Sequence, residues 1–75
     1  MIFEKVQDVI AEQLSVDKEE VKLESRIKQD LDADSLDAVE IAMALEDVFE
    51  KSIPDEELAG FVTVSDIVKY IESVQ

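Results

Sequence analysis

Apolar residues recur at helical spacing in three stretches of the chain. The first stretch predicts an amphipathic helix from Ile2 to Leu14. Its buried face comprises Phe3, Val6, Ile10 and Leu14. The last stretch predicts a helix that starts at Thr63, where Asp66 three residues later forms a variant of the capping box. Its apolar stripe comprises Val64, Ile67, Val68, Ile71 and Val74.

The middle stretch, from about Ser35 to Lys51, is apolar on two sides. At about 100° per residue, one broad face collects Ala38, Ile41, Ala42, Leu45, Val48 and Phe49. Nearly opposite lie Leu36, Val39 and Met43, with acidic residues around them. A helix of this kind is either deeply buried or binds a partner with its second side. Both interpretations are open on the pattern alone.

Two connections join these helices. The first, residues 15–33, is too long to lack internal structure in a small domain, so we expect short helical turns after Asp17 and from about Arg26 to Gln29. In the second, Pro54 suits the first turn of a short helix, and Gly60 is a natural stop. The predicted fold is all-α, a four-helix bundle of three longer helices and one short helix with a long first loop. We expect a single domain over residues 1–75.

The composition excludes several classes of protein function. The chain has 20 acidic and 7 basic residues, a net charge of −13, no Cys and no His. Without these two residue types there is no disulfide, no thiolate site and no ordinary Ser-His-Asp triad. The acidic surface repels nucleic acid and attracts basic partners. No apolar run approaches the roughly 20 residues of a membrane span, so we expect a soluble, cytoplasmic protein.

A serine stands where the long polar connection becomes the middle helix. Asp34 and Ser35 are both good N-caps, but one helix start needs only one. If Asp34 caps the helix and Asp37 supports its first turn, the hydroxyl of Ser35 is free to point outward. Ser35 as a plain helix cap is the alternative.

Two chemical interpretations of this junction fail. Asp30, Asp32 and Asp34 suggest an EF-hand, but the glycine and the bidentate glutamate that its loop requires are replaced by Ser35 and Ile41. Weak surface binding of calcium is all that this acidic density supports. A hydrolase built on Ser35 fails because no histidine is present to act as its base.

The junction resembles the signature of acyl carrier proteins, especially the freestanding kind of bacterial-type fatty acid synthesis. The resemblance lies in Asp34-Ser35-Leu36-Asp37, Val39-Glu40 and Met43-Ala44-Leu45-Glu46. It continues through Phe49-Glu50, Ile53-Pro54-Asp55-Glu56-Glu57, Thr63-Val64 and Tyr70-Ile71, and so covers essentially the whole chain. One departure is Asp32, where the family usually has Gly. Glycine there suggests a left-handed backbone, which Asp tolerates better than most residues.

The resemblance implies that Ser35 is the attachment point for 4′-phosphopantetheine, which a phosphopantetheinyl transferase moves from coenzyme A. The chain would catalyse nothing itself, and would carry acyl groups as thioesters between the enzymes of fatty acid synthesis. A surface for the basic patches of those enzymes would comprise Asp34, Leu36, Asp37, Val39, Glu40, Met43, Glu46, Asp47, Asp55 and Glu56. Positions matching the family's acyl-chain pocket are Leu45, Phe49, Ile53 and Phe61, although any core would use such residues. We expect a monomer.

Other functions are compatible with the same residues. A specialised carrier for polyketide, other lipid or aminoacyl groups would share the fold and the arm. An unmodified acidic interaction module would use Leu36, Val39 and Met43 to bind a basic partner, and would not need Ser35 at all.

Overall fold

Four α-helices make up the structure, a computed structural model that describes residues 2–74. They are α1 (Ile2–Leu14), α2 (Ser35–Phe49), α3 (Asp55–Ala59) and α4 (Val64–Val74). Between residues 2 and 74 the strand-like pairing is limited to one isolated antiparallel bridge, from Arg26 to Thr63. The predicted all-α bundle of three longer helices and one short helix is confirmed.

The core lies where α1, α2 and α4 meet. α1 packs against both other long helices, and the apolar stripes predicted for α1 and α4 face inward. The side chains that are almost completely removed from water are Val6, Ile10, Val21, Leu45, Val64, Ile67 and Ile71. Each such side chain contributes roughly 1.5–3 kcal/mol of burial free energy, so this cluster is the main source of stability.

The two apolar sides of α2 differ in burial. Ile41, Leu45 and Phe49 are buried, whereas Leu36 and Met43 are 65% and 62% exposed. The second side is therefore surface and not additional core. The prediction for Val48 was wrong, because this residue is 46% exposed at the margin of the buried face.

The long first connection is ordered by short turns. A 3₁₀ turn, Lys18–Glu20, follows Asp17 as predicted. In the second expected place, the N–H of Asp30 donates to the carbonyl of Arg26 at 2.8 Å, which makes a single hydrogen-bonded turn. Four buried apolar side chains anchor the connection to the core: Val21, Ile27, Leu31 and Ala33.

The same connection pairs with the start of α4. The N–H of Ile27 donates to the carbonyl of Val62 at 2.9 Å, and the N–H of Val64 donates to the carbonyl of Ser25 at 3.0 Å. These bonds satisfy backbone groups that a loop would otherwise have to expose to water. Residues 23–27 and 62–65 therefore form one unit, although they are far apart in sequence.

The ends of the helices follow their local chemistry. Before α4, Asp66 Oδ2 accepts hydrogen bonds from the N–H groups of Val62 and Thr63 at 2.9 and 3.1 Å, so the predicted capping box is confirmed, with Val64 as the first helical residue. At the end of α2, Glu50 adopts a left-handed backbone with φ of 54°, so this helix stops two residues earlier than predicted. Gly60 ends α3 at φ of −88°, which needs no glycine.

Candidate functional site

The start of α2 leaves Ser35 without a structural task. Asp34 Oδ1 accepts a hydrogen bond from the N–H of Asp37 at 2.9 Å, and Asp37 Oδ2 accepts one from the N–H of Asp34 at 3.2 Å. This reciprocal capping box is the arrangement expected from the sequence. Ser35, the first residue of the helix, is exposed, and its hydroxyl is available for chemistry.

Two backbone N–H groups at the start of α2 have no acceptor among the residues that the structure describes. The capping box satisfies the N–H of Asp37, whereas the N–H groups of Ser35 and Leu36 have no acceptor in residues 2–74. Free N–H groups and the positive end of the helix dipole favour an anion such as a phosphodiester. The carboxylates of Asp34 and Asp37 oppose it, so the local field at Ser35 is mixed.

The loop before Ser35 contains a left-handed residue. Asp32 has φ of 58°, so the backbone shape inferred for this position is confirmed. Two residues earlier, Asp30 bonds back to Arg26, whose N–H donates to Asp30 Oδ2 at 2.8 Å. This backbone hydrogen bond, followed by the Arg26 side chain, lowers the pKa of Asp30.

The acids of this loop do not converge on one point. Asp30 faces Arg26, and Asp34 is occupied with the cap of α2. Within residues 2–74, no three Asp, Glu, His or Cys side chains are arranged to hold a metal ion.

Beside Ser35 lies a cavity of about 340 Å³. Its volume is at the lower end of the range for small-molecule sites, and apolar linings of this kind suit an apolar guest. α2 contributes both small and large side chains to the lining, including Ala38, Ala42 and Leu45. The apolar lining includes Ile27, Ala38, Ala42, Leu45, Leu58, Phe61 and Ile67.

The four residues suggested for an acyl-chain pocket are divided by the structure. Leu45 and Phe61 line the cavity. Phe49 and Ile53 are buried but lie outside its lining. The ring of Phe49 is covered by the ammonium group of Lys5, 5.9 Å from the ring centroid. The N–H of Ile53 bonds to the side chain of Glu46.

Three polar residues of the cavity lining are exposed to solvent, and we call the part of the lining that they form the mouth of the cavity. Ser35 and Asp55 are the first residues of α2 and α3, and Lys28 is the one basic residue in the lining. Sequence reasoning missed Lys28. A signal was available, because Lys28 is the basic residue nearest to Ser35 in the sequence.

The second side of α2 forms a continuous exposed surface. Leu36, Met43, Glu40 and Asp47 lie within about 60° of one another around the helix axis, and all four are exposed. Val39, 42% exposed, lies between this surface and the cavity and also lines the cavity. We call Leu36, Val39, Glu40, Met43 and Asp47 the outer face of α2.

The remaining acids suggested for partner binding lie around this face. Asp34 and Asp37 are at its amino end, and Asp55 and Glu56 are exposed on α3. Glu46 differs, because it is partly buried and its Oε2 accepts a hydrogen bond from the N–H of Ile53 at 2.7 Å. Glu46 therefore fastens the connection between α2 and α3.

Two further polar residues were missed by sequence reasoning. Gln7 donates from Nε2 to the carbonyls of Lys18 and Val21, which attaches the long connection to α1. Ser25 is buried, and its hydroxyl accepts from the N–H of Lys22 and donates to the carbonyl of Glu20. Their partners come from a loop whose path the sequence does not specify, so no pattern could have found them.

Comparison with known proteins agrees with this geometry. Residues 4–71 match the family described as "Phosphopantetheine attachment site". A protein named "Acyl carrier protein" from Campylobacter concisus (strain 13826) is 58% identical over 73 residues, 97% of this chain and 95% of that protein. Its namesake from Campylobacter curvus (strain 525.92) is 55% identical over 73 residues, with the same coverage.

A third relative with that name, from Campylobacter fetus subsp. fetus (strain 82-40), is 51% identical over 74 residues, 99% of this chain and 96% of that protein. None of the helices described in residues 2–74 has the length and apolar character needed to cross a bilayer.

Proposed function

The chain belongs to the acyl carrier protein family, whose members are non-catalytic carriers with a 4′-phosphopantetheine arm. From that premise we propose that Ser35 holds the arm. The thiol of the arm supplies the chemistry, since it holds acyl groups as thioesters. The chain moves these groups between the enzymes of fatty acid synthesis in the cytoplasm, and works as a monomer.

The observation that supports this proposal is the position of Ser35. It is exposed at the first residue of α2, released from capping by Asp34 and Asp37, and placed at the mouth of an apolar cavity. A phosphopantetheinyl transferase can reach the hydroxyl from solvent. A phosphodiester formed there gains the helix N-terminus as an anion site.

The cavity supports a role in sheltering the carried chain. Leu45 and Phe61 contact a guest directly in this proposal, and Leu58 closes the side formed by α3. Phe49 and Ile53 act from behind the lining, where they support its shape. An acyl chain in this space removes apolar surface from water, which is favourable by roughly 25 cal/mol per Å².

The outer face of α2 serves the enzymes that handle the carrier. Leu36, Val39 and Met43 provide a small apolar anchor, and the surrounding acids steer the protein toward basic surfaces. Asp34, Asp37, Asp55 and Glu56 extend this field on both sides of Ser35. A carrier must leave each enzyme after its reaction, and a small anchor with charge steering gives fast, weak binding.

The first experiment is attachment of the arm, followed by intact mass. The apo protein is incubated with coenzyme A and a phosphopantetheinyl transferase. We expect the wild type and Ser52→Ala, a matched change at another exposed serine, to gain one phosphopantetheine group. Ser35→Ala should gain none and should keep its fold. A gain in Ser35→Ala, or no gain in the wild type with several such transferases, would contradict the proposal.

The fatty acid assignment is tested separately on the loaded protein. A fatty acyl ligase and an aminoacyl ligase are each offered the same thiol. We expect thioester formation with the first and not with the second. The opposite preference would move the protein to specialised carrier chemistry and leave Ser35 as the site.

A further inference from the structure

The mouth of the cavity contains one basic side chain in a strongly acidic protein. Lys28 lines the cavity together with Ser35 and Asp55. We propose that Lys28 binds the phosphate of the arm and so positions the arm over the cavity. This inference rests on the proposed function, since it requires the arm to be on Ser35.

The backbone brings Lys28 to Ser35. The N–H of Ala33 donates to the carbonyl of Ile27 at 3.1 Å, so the peptide that joins Ile27 to Lys28 lies against the segment that leads into α2. Ser35 follows Ala33 by two residues. In this proposal the Lys28 side chain spans the gap between its turn and a group attached to the Ser35 hydroxyl.

The turn that carries Lys28 is held firmly. The N–H of Ile27 donates to the carbonyl of Val62 at 2.9 Å, and the N–H of Asp30 donates to the carbonyl of Arg26 at 2.8 Å. Ile27 itself is buried and lines the cavity. The backbone of Lys28 is thus already ordered, so binding of an anion costs rotamer entropy of the side chain but little backbone entropy.

Lys28 is also free to take a new partner. Arg26 pairs with Asp30, and Lys18 pairs with Asp8, whereas Lys28 has no ion-pair partner within residues 2–74. Asp55, the other charged residue of the lining, is not within 4.0 Å of it either.

The charges around Ser35 explain why such a contact is needed. A phosphodiester adds one negative charge beside Asp34 and Asp37, and the adjacent mouth of the cavity contains the carboxylate of Asp55. The N-terminus of α2 offsets only part of this repulsion. The ammonium of Lys28 supplies a full positive charge on the cavity side, so the phosphate is drawn toward the mouth and away from the outer face of α2.

The test uses phosphorus NMR on the loaded protein. Wild type, Lys28→Gln and Lys51→Gln are each loaded to completion, as verified by intact mass. Lys51 is the matched control, an exposed lysine at the far end of α2, about 20 Å from Ser35. At physiological ionic strength this is more than two screening lengths of about 8 Å, so its charge hardly reaches the phosphate.

We expect the phosphorus resonance of Lys28→Gln to differ from wild type by several times the difference for Lys51→Gln. We also expect nuclear Overhauser effects between protons of the Lys28 side chain and protons on the arm carbon next to the phosphate. These effects should weaken in high salt. Equal phosphorus resonances in wild type and Lys28→Gln, with no such contacts, would overturn the proposal. If neither the wild type nor the variants gain the arm in the mass measurement, the proposed function fails. If they gain it but the Lys28→Gln change has no effect on the phosphorus resonance, only the role of Lys28 fails.

Discussion

α4 and α2 use their apolar residues in different ways. α4 buries its stripe of Val64, Ile67, Val68 and Ile71 and exposes little else that is apolar. α2 buries one face and leaves Leu36 and Met43 in water. A contiguous exposed apolar surface is typical of a binding site, whereas single exposed apolar residues are ordinary, so we propose that the exposed residues of α2 serve binding. Helical periodicity locates both helices, and the exposed apolar side sets α2 apart.

The largest effect should come from the buried stripe. Ile71→Ala in α4 removes a fully buried side chain that does not line the cavity, and should cost about 2–5 kcal/mol of unfolding free energy. A domain of this size has roughly 5–10 kcal/mol in total. Urea unfolding measures the loss. Met43→Ala is the matched change on the outer face and should stay within about 0.5 kcal/mol. Comparable losses in the two variants would remove the distinction between the helices.

The outer face should instead show its effect in recognition. Leu36→Ala should raise the KM for the apo protein with a phosphopantetheinyl transferase by roughly tenfold, because an exposed anchor of this kind contributes about 1–2 kcal/mol to binding. Its stability should be nearly unchanged. Val62→Ala is the control, since Val62 is 59% exposed and belongs to the segment before α4. If Val62→Ala weakens the reaction as much, the outer face has no special role.

A smaller effect concerns the start of α4. Hydrogen bonds from the N–H groups of Thr63 and Val62 lower the pKa of Asp66. Its carboxylate therefore stabilises the fold at pH values above about 3.9, the ordinary pKa of an Asp side chain. This contribution is lost as the pH falls through the lowered pKa of the folded state. Asp66→Asn should cost about 0.5–1 kcal/mol at pH 7. The difference in unfolding free energy between Asp66→Asn and the wild type should close as the pH falls below about 4.

Thermal unfolding at a series of pH values measures this gap. Glu72→Gln is a control of opposite sign, because it removes an acid from the last turn of α4, where the helix dipole disfavours negative charge. A gap for Asp66→Asn that stays constant from pH 7 to pH 3 would show that the charge of Asp66 has no part in the cap.

The smallest effect should come from the loop before α2. Asp32 has φ of 58°, where glycine carries no steric penalty but loses more entropy on folding. Asp32→Gly should therefore stabilise the protein by only about 0.5 kcal/mol, and Asp32→Ala should destabilise it by a similar amount. Chemical denaturation resolves the pair. Equal stabilities for the two variants would mean that the left-handed backbone does not decide the residue at this position.

Local chemistry made much of this structure predictable. The bounds of α1, the capping boxes of α2 and α4, and the exposure of Ser35 depend on residues within a few positions of one another. The error at Val48 arose because this residue lies at the margin of the buried face, where the packing of neighbouring elements decides exposure. Periodicity cannot supply that information.

The free hydroxyl of Ser35 was predictable, and its surroundings were less so. The exposure of Ser35 follows from capping rules, whereas the lining of the cavity joins Ile27, Leu45 and Phe61 from three distant parts of the chain. Phe49 and Ile53 are as apolar as Leu45, so nothing in the sequence indicates that they lie outside the lining. Glu46 looks like any surface acid until the N–H of Ile53 is found beside it.

The walls of the cavity differ in stiffness. On one side, Ile27 is fixed by the backbone pairing between the long connection and the segment before α4. On another, α3 has only five residues and none of them is buried. A guest larger than the present space would therefore displace α3 before it moved the other walls. If the proposed function holds, we expect a long cargo to store energy in the displaced α3, which would favour release of the cargo to the next enzyme.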